Sequence, residues 1–280
     1  MTSVVAWLGP ASPFQAPGWT PPVGAKVLNL QCQGLTQPTC GTITDGWVDA
    51  SGRHLSSLIA AGKMDPTAVD EVMLNAFSAG GSSVKRICMS ADDRAAIPVV
   101  VLADGMYTTD RDAQGNAVAP EGFVRFALDA LTGPHLFVAT SSSNPNKSYP
   151  TGSQTLDAVR REVERRTGRT FQTGGHVPLP VQPVTLWTMG NVIFGDYQAL
   201  LGHGEHVSVL NAAVWDKIVK PFLAARQPGV EPPLPPAPSG PAVTPGLPAS
   251  PFPWDRALAL LAGAAAGYAG VRWYESRRHL

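Results

Sequence analysis

Short, uncharged runs of strand-forming residues alternate along this chain with stretches of helical period, and that alternation limits the fold more than any other feature. Val99 to Ala103 (VVVLA) is the clearest run, β-branched and without a charge to place on a solvent face. Such a run is buried on both sides, as strands are in a parallel sheet. Lys26 to Cys32 (KVLNLQC), Glu71 to Ala76 (EVMLNA), His135 to Thr140 (HLFVAT) and Asn191 to Phe194 read as further strands. Helices are predicted between them, over His54 to Ala61, Ser82 to Met89, Phe123 to Leu131 and Thr155 to Thr167. In the last of these Leu156, Val159 and Val163 share one face. Arg160–Glu164 and Glu162–Arg166 pair on the other, and Gly168 supplies the stop. Val207, Leu210, Val214 and Ile218 mark the inner stripe of a final helix, which Pro221 is expected to end or kink. Strand and helix in alternation imply an α/β fold, with a mostly parallel sheet and helices on both faces.

The chain has 280 residues, of which 44% are hydrophobic, enough for one sizeable core. Its net charge is zero and no basic stripe is visible, so a nucleic-acid partner is not expected. Three cysteines, Cys32, Cys40 and Cys88, are too few for a disulfide scaffold and are read as reduced thiols; a Cys32–Cys40 bridge within one loop is the alternative. Residues 1–25 are interrupted by Pro10, Pro13 and Pro17 and have no basic start. They are expected to be an extended lead-in rather than a secretory signal, with the domain folding in a cytosol.

In a parallel α/β sheet, ligands bind beyond the carboxyl ends of the strands. That rule selects Cys32 to Gly34, Ser78, Asp104, Ser141 to Asn144, and the loop from Gly195 to His206. Ala76-Phe77-Ser78-Ala79-Gly80 stands between a predicted strand and a predicted helix, with small residues two places either side of Ser78. A strand-to-helix turn that sharp lifts a serine hydroxyl above the sheet edge, and the N–H of Ala79 would face the charge that develops on a substrate oxygen. A serine hydroxyl needs a histidine to take its proton and a carboxylate to orient that histidine. Asp104 follows the VVVLA strand, and His203 and His206 precede the final helix, giving the chain order serine, acid, histidine. His206 is taken as the base because it directly precedes the helix, with His203 as the alternative. Glu205 and Asp196 are the next candidates for the acid.

The serine elbow, the strand-Asp-Gly-x-Tyr segment from Val99 to Tyr107, and the histidine before an amphipathic helix resemble the α/β-hydrolase superfamily over roughly residues 26–225. The resemblance implies a three-layer α/β-hydrolase-like sheet. It also implies an esterase acting through an acyl-enzyme on Ser78, with His206 as base and Asp104 as orienting acid. Ala79, Cys32 and Gln33 would form the oxyanion hole, and the substrate would be a small-molecule or polymer ester. No cofactor is expected, since Gly80-Gly81-Ser82-Ser83 before Lys85 lacks phosphate-loop spacing. No metal is expected either, since His203-x-x-His206 offers only two ligands. The rival reading is a non-catalytic protein of the same fold, serving a binding or structural role.

Residues 228–253 are dense in proline and form a predicted extended linker. Ala257 to Val271 is uncharged, with Trp254 before it, Trp273 and Tyr274 after it, and Arg272, Arg277 and Arg278 beyond. Aromatic and basic flanks around an apolar stretch are the marks of a membrane-spanning helix. Residues 254–280 are therefore a candidate membrane anchor, the alternatives being a helix that docks on a protein partner and a soluble chain. The expected layout is a lead-in over 1–25, the α/β domain over 26–227, the linker over 228–253 and the apolar helix over 254–280.

Overall fold

The computed structural model describes residues 2–9, 18–31, 55–61, 63–143 and 149–226. The strands are β1 (Ser3–Gly9), β2 (Lys26–Gln31), β3 (Glu71–Phe77), β4 (Val99–Ala103), β5 (Leu136–Ser142), β6 (Gln172–Thr173), β7 (Thr185–Met189) and β8 (Val192–Gln198). The helices are α1 (Leu55–Ala61), α2 (Gly81–Ile87), α3 (Ala91–Ala95), α4 (Glu121–Thr132) and α5 (Gly152–Thr167). A final helical run, α6, occupies residues 206–225.

The strands form one sheet in the order β2-β1-β3-β4-β5-β8-β7-β6. Pairing is parallel from β2 through to β8 and antiparallel for the last two strands. Alternate residues of each strand enter different layers. Val4, Ala6, Leu8, Leu74, Val100 and Leu102 pack beneath α1, α2, α4 and α5. Val5, Trp7, Met73, Val99, Val101 and Ala103 pack beneath Trp19 and α6. The sheet is thus covered on both faces, and the fold is α/β with a mostly parallel sheet, as the alternation implies.

Three elements depart from expectation. The first strand is not at Lys26: Ser3–Gly9, inside the stretch read as a lead-in, lies between β2 and β3 and is fully paired. Its run SVVAWLG is apolar without a period of two, because both of its faces are buried. The antiparallel pair β7–β8 also goes beyond the sequence reading, which placed only a short strand over Asn191 to Phe194. Pro221 does not stop α6. The run passes through π-type turns at His206–Asn211 and Trp215–Val219, and a fresh α-helical stretch, Lys220–Ala225, places Pro221 in its first turn, where a missing N–H costs little. α5 begins at Gly152 because Thr151 and Gln154 close a reciprocal capping box, and Gly168 ends it at φ 64°.

Cys88 is a free, buried thiol, and burial pushes its pKa well up. Cys32 and Cys40 lie outside the described residues, as do the linker and the apolar helix. Among the described residues no helix is long and apolar enough to cross a membrane.

Candidate active site

β3 ends at Phe77, and the backbone of Ser78 turns to φ 53° before entering the helical turn Ser78–Gly80 and then α2. A non-glycine residue with positive φ costs on the order of 1–2 kcal/mol and persists only where its surroundings force it. The neighbouring glycines show what does the forcing. A side chain at Gly80 would strike the carbonyl of Leu8 at the end of β1, and one at Gly81 would strike the carbonyl of Gly105 beyond β4. A Cβ on Gly105 would lie 3.2 Å from the Ala76 oxygen and 3.6 Å from the Ser78 nitrogen. The elbow is therefore wedged between the ends of β1 and β4. Ala79 is the second residue of that helical turn, where backbone N–H groups have no intrahelical acceptor.

β4 runs beside β3, with Ala103 opposite Phe77, so Asp104 emerges alongside Ser78. Asp104 also has positive φ, 43°, and its N–H donates to the Thr140 carbonyl at 2.9 Å. Its side chain is fully buried. Oδ1 accepts the Ser142 N–H at 3.0 Å, and Oδ2 accepts the Ser142 hydroxyl at 2.6 Å. The Nδ1 of His203 is also 2.6 Å from Oδ2. Gly152, first residue of α5, packs so close that a Cβ there would stand 2.8 Å from Oδ1. Burial works to raise the pKa of Asp104. The hydrogen bonds from His203 and Ser142, with the two imidazole charges, outweigh burial and hold it below the usual carboxylate value.

The imidazole held by Asp104 is thus that of His203, the alternative of the two, and not that of His206. The loop after β8 brings it there. The His203 ring lies 4.5 Å from the ring of Phe77, the residue before Ser78, and its side chain is 30% exposed. Tyr107 Oη stands 3.5 Å from His203 Nδ1, and the Tyr107 ring meets Tyr149 edge-on. Burial first, and then the nearby Asp104 charge, push the Tyr107 phenol far up, so it stays neutral. With Nδ1–H donated to Asp104, the basic nitrogen of His203 is Nε2.

His206 takes a different place. It opens α6, is fully buried, and sets its Nδ1 2.8 Å from the Thr140 hydroxyl, with Tyr197 edge-on to its ring. Its Nε2 is buried and has no partner among the described residues. Burial lowers its pKa, so it is held neutral.

The other candidate acids bond elsewhere. Asp196 accepts hydrogen bonds on Oδ1 from the Ser141 and Ser153 hydroxyls and the Gln198 N–H, which ties β5, α5 and β8 together. Glu205 accepts the Gly202 N–H within its own loop. The two imidazoles have different partners, and among the described residues no three His, Cys, Asp or Glu side chains group as metal ligands. Cys32 and Gln33 lie outside the described residues. The strand they follow, β2, is separated from β3 by β1, about 10 Å across two strand spacings.

Ser142 and Tyr107 fell within segments that the sequence marked, but neither was given a role. The run Ser141-Ser142-Ser143 offers no carboxylate, and only the β4–β5 register, Ala103 opposite Thr140, shows that it faces one.

Comparison of the chain with family models, with curated proteins and with solved structures gave no match.

Proposed function

We propose that this chain is a serine hydrolase of the α/β-hydrolase type, cleaving ester bonds through an acyl-enzyme on Ser78, with His203 as base and Asp104 as its orienting acid. The observation that carries the reading is the 2.6 Å contact between a buried carboxylate and a half-exposed imidazole, at the end of the strand beside a serine held at positive φ. A strained serine and a buried carboxylate bonded to an imidazole, on adjacent strand ends, support the reading as nucleophile, orienter and base.

In the first half-reaction Ser78 Oγ attacks the ester carbonyl carbon while its proton passes to His203 Nε2. Asp104 stabilises the imidazolium through Nδ1–H, and the Ala79 N–H meets the oxyanion. Collapse of the tetrahedral adduct breaks the bond to the alkoxy oxygen, which leaves with the proton from His203. Water then repeats the sequence on the acyl group, its proton going to Nε2 and returning to Ser78 Oγ. Cys32 and Gln33 follow β2, which β1 separates from β3, so the second oxyanion donor is not assigned to them.

The substrate is a small-molecule or polymer ester. Residues 228–253 would serve as a spacer, and residues 254–280 as a tether to a membrane.

The test is labelling by a fluorophosphonate. Wild-type protein should be modified at Ser78, and Ser78→Ala should not react. His203→Ala and Asp104→Asn should slow labelling on the order of 10³–10⁴-fold. A folded wild-type protein that takes no label is the non-catalytic protein of the rival reading.

A further inference from the structure

We propose that Ser142 is a positioning residue of this site, whose hydroxyl sets both the orientation of Asp104 and the strength of the bond between Asp104 and His203. The inference rests on the hydrolase reading for its catalytic consequence, while the contact itself is a property of the fold.

Ser142 reaches Asp104 at the end of the β4–β5 pairing, where Ala103 lies opposite Thr140 and the chain of β4 continues to Asp104. There the Ser142 N–H goes to Asp104 Oδ1. On the other side of β5 the register shifts: Ser141 faces Asp196 and Ser142 faces Gln198, so β8 carries one extra residue, Tyr197. The Ser142 hydroxyl goes to Asp104 Oδ2, the same oxygen that holds His203. Ser142 is 1% exposed, so no solvent competes for that bond.

Sharing one oxygen couples the two groups. A donor on Oδ2 draws off part of the charge that would otherwise attract the imidazolium. It also fixes the carboxylate plane, so that Nδ1–H has one orientation. Removing the hydroxyl therefore has two effects of different kinds. The carboxylate is held less firmly and turnover falls. The charge on Oδ2 is less shared, so the hydrogen bond from His203 Nδ1–H to it strengthens. A residue that merely filled space would produce only the first.

The experiment uses the full chain, with p-nitrophenyl acetate as probe, and follows the His203 Nδ1–H proton by nuclear magnetic resonance of ¹⁵N-histidine-labelled protein. Ser142→Ala should lower kcat about tenfold with KM unchanged, since the residue does not touch substrate. The Nδ1–H resonance should move downfield, as it does when a hydrogen bond to a carboxylate strengthens. Ser142→Thr keeps the hydroxyl and should restore both. The proposal is overturned if Ser142→Ala leaves the Nδ1–H resonance in place, whether turnover falls or not. It is overturned equally if Ser142→Thr restores neither quantity. Should wild-type protein not hydrolyse the ester while Ser142→Ala still moves the Nδ1–H resonance, the hydrolase reading fails and the coupling stands.

Discussion

Two imidazoles stand three residues apart before α6, and their surroundings assign them opposite tasks. His203 is half exposed and faces a carboxylate, while His206 is buried against Thr140 and Tyr197 with Nε2 unpartnered. Asp104, Asp196, Glu205 and His203 are the charged or titratable groups that act on His206, and burial outweighs the carboxylates. Its folded pKa lies below the ordinary 6.5, so the unfolded chain takes up this proton first as pH falls. Stability from His206 is complete above about pH 6.5 and is lost below it, by at most about 1.4 kcal/mol per pH unit until the folded pKa is reached. Asp104 acts in a separate window. Its lowered pKa keeps its contribution intact until pH drops below the ordinary carboxylate value of 3.8. Urea midpoints at pH 7 and pH 5 should therefore differ, and His206→Gln should flatten the difference. An equal slope in both proteins would mean that another group carries the acid sensitivity. The placing of Ser78 and Asp104 at strand ends was legible in sequence because each needs a local pattern, an elbow or a strand end. The choice between His203 and His206 was not, because it depends on which of two nearby side chains the start of α6 buries.

The same contrast holds among the elements. β3, β4 and β5 were readable as apolar runs bounded by turns. β1 was masked by the prolines that follow it, and β7 by Pro178, Pro180 and Pro183 before it. The inner stripe of α6 was readable, but its attachment was not. Trp215 is fully buried and donates Nε1–H to Asn75 Oδ1 at 2.7 Å across the face of the sheet. Trp19 stands edge-on to Trp7 and to Trp215, with ring centroids 5.0 and 5.6 Å away. This cluster pins α6 to β1 and β3. Trp215→Phe keeps most of the apolar contact but strands the Asn75 oxygen, and should cost about 1–3 kcal/mol. Joining it to Asn75→Leu removes both partners and should recover part of that loss, as measured by denaturant unfolding. A double variant less stable than the sum of the two singles would show that packing, not the hydrogen bond, holds α6.

At the scale of the whole molecule, the described residues that build the α/β core run from β1 to α6. Val4 of β1 and Val219 of α6 are both fully buried, and the described chain closes with Arg226 bonded to Glu71 at the start of β3. The compact unit extends to Pro233. A chain ending at Pro233 is therefore expected to fold, to keep its thermal midpoint within about 2 °C, and to take the fluorophosphonate label at Ser78 at the full-length rate. The two forms should part company only at a membrane. The stretch from Ala257 to Val271 is uncharged and flanked by Trp254, Trp273 and Tyr274, the pattern of a membrane helix. When both forms are mixed with phospholipid vesicles and floated on a density gradient, full-length protein should rise with the lipid and the shortened chain should stay behind. If both stay behind while labelling equally, the tether is overturned, and residues 254–280 are left as a docking helix for a protein partner.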